Sequence, residues 1–151
     1  MAETNQNTHV MKKMLTIAAI AIIGMSAITS CSKKDSSSPS TSLTCTINGK
    51  SYSSTAYAGQ SSSLLTVFSY TSATSITYPF VEISLSNYSS TGTYTIDGVT
   101  NNVVIDSSAT NAVGATSGTV TITGTSPVKG TFSATMTDGT TITGGSFTAK
   151  N

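Results

Sequence analysis

The chain has 151 residues, of which only 9% are charged, and its formal net charge is +1. This balance leaves no basic excess for binding nucleic acid, and all seven positive residues are lysine, so the arginine forks that read phosphate or guanine are missing. Six Tyr, four Phe and many Val, Ile and Thr give the composition of β-strands rather than that of a disordered chain.

The first predicted element is a short apolar segment, Met14 to Ile28, which follows Lys12 and Lys13. The segment has 15 residues. A helix that spans a bilayer needs about 20. The pattern therefore predicts a secretory signal peptide over residues 1–30, with a short transmembrane anchor as the alternative. Signal peptides begin near their positive residues, so translation from Met11 is favoured over a tolerated polar extension ahead of it.

The apolar segment ends at Ile28-Thr29-Ser30-Cys31, which is one aliphatic residue, two small residues and a cysteine. This tetrapeptide resembles the lipobox of bacterial lipoproteins. The resemblance implies signal cleavage between Ser30 and Cys31, a diacylglyceryl group on the Cys31 sulfur, and a further acyl chain such as palmitate on the new amino group. Two or three acyl chains on one residue would anchor the protein stably to a membrane.

Residues 31–42 combine the lipidated Cys31 with a serine-rich tether, which cannot bury enough apolar surface to order itself. Lysines and one acid, Asp35, follow the cysteine, and this arrangement is similar to the tether of Bacteroidetes-type lipoproteins. The resemblance implies attachment to the outer membrane, and display at the cell surface is a further expectation.

Residues 43–151 show the period of two that is typical of strands, as in "LTCTI", "VEISL" and "GTVTITG". We expect an all-β domain, an antiparallel β-sandwich with a small β-barrel as the alternative. The predicted strands are about nine, at 43–47, 50–57, 64–70, 78–86, 93–96, 99–106, 118–124, 128–137 and 140–149.

Three turns and irregularities can be predicted from local chemistry. Asn48-Gly49 fits a two-residue type I′ hairpin, because both residues tolerate positive φ. If Met136 and Ile142 both face the core, the next hairpin needs a three-residue loop, 137–139, with Gly139 in the left-handed region and Ile142 opposite Ala134. Gly144-Gly145 then marks a bulge that resets the strand.

The composition after Cys31 excludes several chemistries. There is no His, Arg or Trp, so Ser–His–Asp and Cys–His catalysis and histidine zinc sites are not expected. Asp97 and Asp106 are the only conceivable carboxylate pair, and Asp97-Gly98 fits a turn better. Cys45 alternates with Thr44 and Thr46 and shares the inward side of its strand with Leu43 and Ile47, so we expect a buried, unpaired thiol. We expect no enzymatic activity, no catalytic residue, no metal and no cofactor.

The strand segments "TCTINGK" (44–50), "GTY" (92–94) and "GTFS" (130–133) resemble those of small Bacteroidetes-type lipoproteins of uncharacterised role. The resemblance covers most of the chain after Cys31. It implies a location at the outer membrane and an all-β fold, and it implies no particular activity.

Two functions remain open. The first is a displayed domain that binds a saccharide, a peptide or a protein partner, for which Tyr57, Tyr70, Tyr78 and Tyr88 are the candidate ligand residues. The second is a structural or self-assembling envelope lipoprotein without a small-molecule ligand. The threonine ladders at 119–123 and 141–143 are interpreted as solvent-facing side chains rather than as an ice-binding array.

Overall fold

A computed structural model describes residues 40–70 and 78–150 of the chain. The expected signal peptide (1–30), the cleavage site between Ser30 and Cys31, and the lipidation of Cys31 lie outside the described residues. So does most of the expected tether (31–42). These features stay predictions from the sequence.

The described residues form nine antiparallel strands and no helix. The strands are β1 (Ser42–Ile47), β2 (Lys50–Ser61), β3 (Leu64–Tyr70), β4 (Phe80–Leu85), β5 (Gly92–Ile96), β6 (Asn101–Ser108), β7 (Asn111–Thr125), β8 (Val128–Met136) and β9 (Thr141–Ala149). Each corresponds to one strand expected from the sequence, so the all-β prediction is confirmed. The largest difference is β7, which begins seven residues earlier, at 111 rather than 118.

The sheet closes on itself. Eight strands follow one another in the order β7-β6-β4-β3-β2-β1-β9-β8, and pairing between β7 and β8 completes the ring, while β5 adds to β7 as a ninth strand. The two sheets of a sandwich keep separate edges, and here those edges are joined. The structure therefore has the small barrel named above as the alternative, which corrects the expectation of a sandwich.

Two long strands make this closure possible. Residues 50–54 of β2 pair with β1 and residues 55–61 pair with β3. Residues 111–114 of β7 pair with β6, and residues 115–125 pair with β8. We call β2 and β7 the shared strands, because each belongs to both halves of the barrel. One half contains β3, β4 and β6, and the other contains β1, β5, β8 and β9.

Alternate side chains of each strand point into the barrel and fill it. In β4, for example, Val81, Ile83 and Leu85 are at most 1% exposed, whereas Glu82 and Ser84 are only partly buried on the outer surface. Cys45 belongs to the same apolar core and is unpaired, as expected. Burial raises the pKa of its thiol to about 11. The described residues contain no helix long and apolar enough to cross a membrane.

The predicted turns are confirmed. Asn48 and Gly49 have φ of 47° and 78°, and Ile47 pairs directly with Lys50. Gly139 has φ of 84°, its N–H donates to the Met136 carbonyl at 3.1 Å, and Ala134 pairs with Ile142. The pairing of β8 with β9 shifts register between Phe132 and Ala134, so β9 carries an extra residue at the Gly144-Gly145 position.

Candidate functional site

The four candidate tyrosines do not form one site. Tyr57 and Tyr70 are half-buried neighbours whose ring centroids lie 5.7 Å apart. Tyr78 precedes β4 and is 42% exposed. Tyr88 lies in the connection between β4 and β5, is only 4% exposed, and packs against Tyr94 with the ring centroids 6.0 Å apart. Tyr88 therefore offers almost no surface to a ligand.

Tyr57 and Tyr70 belong to a larger aromatic group on the outer surface of the β3–β4–β6 half. Tyr70 is its centre, because its ring also lies 5.4 Å from that of Phe68 and 5.6 Å from that of Phe80. The strand period explains the grouping. Leu65, Val67 and Ser69 of β3 point inward, so Phe68 and Tyr70 point outward.

Phe80 is the unusual member of this group. It is 7% exposed, yet it does not belong to the apolar core inside the barrel, to which Val81, Ile83 and Leu85 of the same strand belong. The outer side chains, not the barrel interior, therefore cover it. Edge-to-face aromatic pairs of this kind each contribute about 0.5–1.5 kcal/mol beyond the area that they bury. Tyr57, Phe68 and Tyr70 therefore supply the partly exposed ring surface of the group, and the buried Phe80 packs against Tyr70.

Two carboxylates border the aromatic rings. Glu82 of β4 pairs with Phe68 on one side and with Val104 on the other, and Asp106 of β6 pairs with Phe80. Glu82 and Asp106 are therefore diagonal neighbours across β4 and β6. We call the set Tyr57, Phe68, Tyr70, Phe80, Glu82 and Asp106 the aromatic–acidic face.

The electrostatics confirm that these groups share one environment. Burial raises the pKa of Glu82 and the Asp106 charge raises it further, while a hydrogen bond from Ser84 Oγ at 2.8 Å opposes both effects. Burial also raises the pKa of Asp106. The pKa of Tyr70 is raised by burial and then by the Glu82 charge. No lysine in the described part of the chain lowers the pKa of either carboxylate.

Sequence reasoning missed this pair of acids. The sequence groups Asp106 with Asp97, but the Asp97 carboxylate accepts the N–H groups of Val99, Thr100 and Asn101 at 2.9, 2.7 and 3.0 Å. Asp97 is therefore a turn residue, as its Asp-Gly sequence suggested. The neighbour of Asp106 is Glu82, which lies 24 residues earlier and reaches it because β4 pairs with β6 and not with β5.

The other half of the barrel has a different exterior. One row of hydroxyl-bearing residues crosses six adjacent strands in register, and we call it the hydroxyl row: Ser53, Thr44, Ser146, Thr131, Thr121 and Thr93. Its hydroxyls pair with one another, at 3.0 Å between Thr44 and Ser146 and at 3.1 Å between Thr93 and Thr121. The threonine ladders are thus on the outer surface, as expected.

The concavity on this half is small. A shallow open depression of about 190 Å³ is lined by Gly118, Ala134, Ile142 and hydroxyl-bearing residues of β8 and β9, with no aromatic or charged side chain. Ligand sites in proteins are usually clefts of about 300–1,000 Å³ lined by apolar and aromatic groups. The depression is therefore a weaker candidate site than the aromatic–acidic face.

Within residues 40–70 and 78–150, no three His, Cys, Asp or Glu side chains come together in a way that could hold a metal ion. Comparison of the chain with protein-family models, with curated proteins and with solved structures gives no match in any of the three. The case for function therefore rests on the geometry of the barrel surface.

Proposed function

We propose that this protein is a lipid-anchored binding domain of the outer membrane or cell surface, which takes a saccharide on its aromatic–acidic face and does not transform it. The observation that carries the proposal is the outward group of four rings around Tyr70, bordered by two carboxylates that no described lysine neutralises.

The chemistry of this face suits a sugar. The C–H faces of a pyranose ring pack against aromatic rings, and its hydroxyls donate to carboxylates in charge-assisted hydrogen bonds. The face is also held in place before any ligand arrives, since β3 and β4 pair over four residues and β4 and β6 over six. A preorganised surface loses little conformational entropy on binding.

Screening the purified protein against a glycan array tests the proposal, with Tyr70→Ala as the test variant and Thr131→Ala, on the opposite half, as the matched control. We expect wild-type protein and the control to bind the same glycans, and Tyr70→Ala to lose about tenfold in affinity. A tenfold loss corresponds to about 1.4 kcal/mol, and an aromatic contact contributes about 0.5–1.5 kcal/mol beyond the area that it buries. Failure to bind any glycan would contradict the proposal. Cleavage of a bound glycan would contradict the absence of catalysis.

The lipid anchor is supported by the sequence pattern at Ile28-Thr29-Ser30-Cys31. Mass spectrometry of protein purified from its native host tests it directly. We expect the chain to begin at an acylated Cys31, and Cys31→Ser to abolish membrane recovery. An unmodified cysteine with the upstream peptide still attached would contradict the anchor.

The second candidate is a structural or self-assembling role, which the hydroxyl row favours. That row contains no charged residue, so it would repel a second copy of the chain little. Among the described strands, β5 lies at the end of the strand order and pairs only with β7, so its other edge is a candidate for pairing between molecules. Sedimentation of the purified protein over a range of concentrations separates the candidates, since a monomer throughout would exclude self-assembly.

A further inference from the structure

The aromatic–acidic face concentrates negative potential. Glu82 and Asp106 are diagonal partners, which places the two residues about 7–8 Å apart and their Cβ atoms somewhat closer. At that separation the two charges act on each other, and the Asp106 charge contributes to the raised pKa of Glu82. A positive group between the two carboxylates would relieve the repulsion and replace the hydration that both have lost.

The aromatic rings add to this potential. The face of an aromatic ring carries the negative part of its quadrupole, and it attracts a cation that lies within about 6 Å of the ring centre. Glu82 pairs directly with Phe68, and Asp106 pairs directly with Phe80, so both carboxylates border the ring group. Tyr70 lies between these two rings and senses the Glu82 charge.

The chain's own described lysines do not fill this position. Lys50 and Lys129 are exposed on β2 and β8, away from β4 and β6. Lys150 is exposed, and its backbone forms an isolated parallel β-bridge with Tyr57, at the far side of the face. Tyr57 and Glu82 are two strands apart, about 10 Å at the usual spacing of strands.

We propose that the saccharide bound by the aromatic–acidic face carries a free amino group, whose ammonium lies between the carboxylates of Glu82 and Asp106 while the sugar ring packs against Tyr70. This inference rests on the proposed function and specifies its ligand class. Neutral sugars would lack this ion pair and would bind through the rings and hydroxyl hydrogen bonds, and anionic sugars would be repelled.

Isothermal titration of the full chain carrying Cys31→Ser tests the inference with three probes of equal length. These are a β-1,4-linked glucosamine tetramer, its fully N-acetylated counterpart, and a tetralysine peptide. We expect the glucosamine tetramer to bind about tenfold or more tighter than the acetylated one, as a charge-assisted contact allows, and its advantage to shrink as salt is added.

The variants assign the effect to residues. Glu82→Gln keeps the size of the side chain and an acceptor for the Ser84 hydroxyl. Asp106→Asn keeps the size of the Asp106 side chain and removes its charge. Each should bring the glucosamine tetramer close to the affinity of the acetylated one, and should weaken the acetylated one much less, since that sugar loses only the charge on a hydroxyl acceptor. Tyr70→Ala should weaken both sugars, and thermal unfolding of each variant confirms that it folds.

The outcomes separate the two proposals. Equal binding of both sugars, each weakened by Tyr70→Ala, would overturn the amino-group inference and leave the saccharide function standing. Failure of both sugars to bind would overturn both. Tetralysine that binds as tightly as the glucosamine tetramer and is unaffected by Tyr70→Ala would also overturn the amino-sugar assignment, in favour of a basic peptide.

Discussion

Glu82 and Asp106 lie on adjacent strands of the barrel exterior, one diagonal step apart, and the charge on Asp106 raises the pKa of Glu82. Burial is the larger cause of that shift. An acid whose pKa is raised in the folded state can become charged there only at the expense of fold stability. Binding sites often contain groups that lower fold stability, because those groups are selected for contact with a ligand rather than for stability.

Glu82→Gln should therefore stabilise the protein at neutral pH. From about pH 4.3 up to the raised pKa, the folded state holds more protons on Glu82 than the unfolded state does, so stability falls as the pH rises through that window. We expect the melting temperature of the variant to be about 2–4 °C above that of the wild type at pH 7. At pH 3.5 we expect the two melting temperatures to be equal. Thermal unfolding by circular dichroism at both pH values measures this, and an advantage confined to the acid side would contradict it.

Asp97 should show the opposite dependence on pH. Hydrogen bonds from the N–H groups of Val99, Asn101 and Thr100 lower its pKa. Its stabilising effect is therefore present above about pH 3.9 and is lost as the pH falls through the lowered pKa. We expect Asp97→Ala to lower the melting temperature at pH 7 and to match the wild type more closely at pH 2.5. A constant difference across that range would show that the carboxylate charge is not involved.

Gly145 should resist substitution because there is no room for a side chain. A Cβ at this position would lie 2.5 Å from the carbonyl oxygen of Phe132 and 2.5 Å from its ring. Gly145→Ala should therefore cost about 1–3 kcal/mol in unfolding free energy. Gly59→Ala is the matched control, since its nearest neighbour would be Phe68 Cζ at 3.9 Å, and it should be neutral or slightly stabilising. Urea unfolding compares the two, and equal effects would refute the steric explanation.

Cys45 should be chemically silent in the folded protein. Its thiol is buried in the core, and burial raises its pKa to about 11, so little thiolate is present or accessible at pH 8. In the full chain carrying Cys31→Ser, we expect Ellman's reagent to report no reactive thiol until denaturant unfolds the barrel, and then one. Rapid reaction under native conditions would show that β1 opens locally.

The local features of this fold were readable from the sequence because each depends on a few adjacent residues. Asn48-Gly49 specified its own turn, and the parity of Met136 and Ile142 required a three-residue loop ending in Gly139. The inward position of Cys45 followed from the alternation in β1. Period two and turn chemistry act over short distances, so one sequence is enough to recover them.

The closure of the barrel could not be predicted in the same way. It depends on residues 111–117 of β7, "NAVGATS", and on 58–61 of β2, "AGQS", which are small or polar and have no clear alternation. Their strand geometry comes from pairing with β6, β8 and β3 rather than from their own propensity. Without residues 111–114, β7 has no pairing with β6 and the ring stays open, so a strand that begins at 118 gives no indication of closure.

The candidate site was half predictable for a related reason. Tyr57 and Tyr70 were named as candidates, but Phe68 and Phe80 were not, since an aromatic residue in an alternating strand usually points to the core. The acid pair required knowing that β4 lies beside β6, which is a property of the whole topology. Sequence alone placed Glu82 on an outer surface and could not show what it would meet there.

The shared strands have a consequence for modularity. Because β2 and β7 each hydrogen-bond to both halves, neither half retains a complete set of backbone partners if the other is removed. Excising the half with the aromatic–acidic face as a minimal scaffold, or grafting the half with the hydroxyl row onto another protein, would expose long unsatisfied edges prone to aggregation. Single substitutions can change the outer surface of either half, but the two halves must fold together because they share β2 and β7.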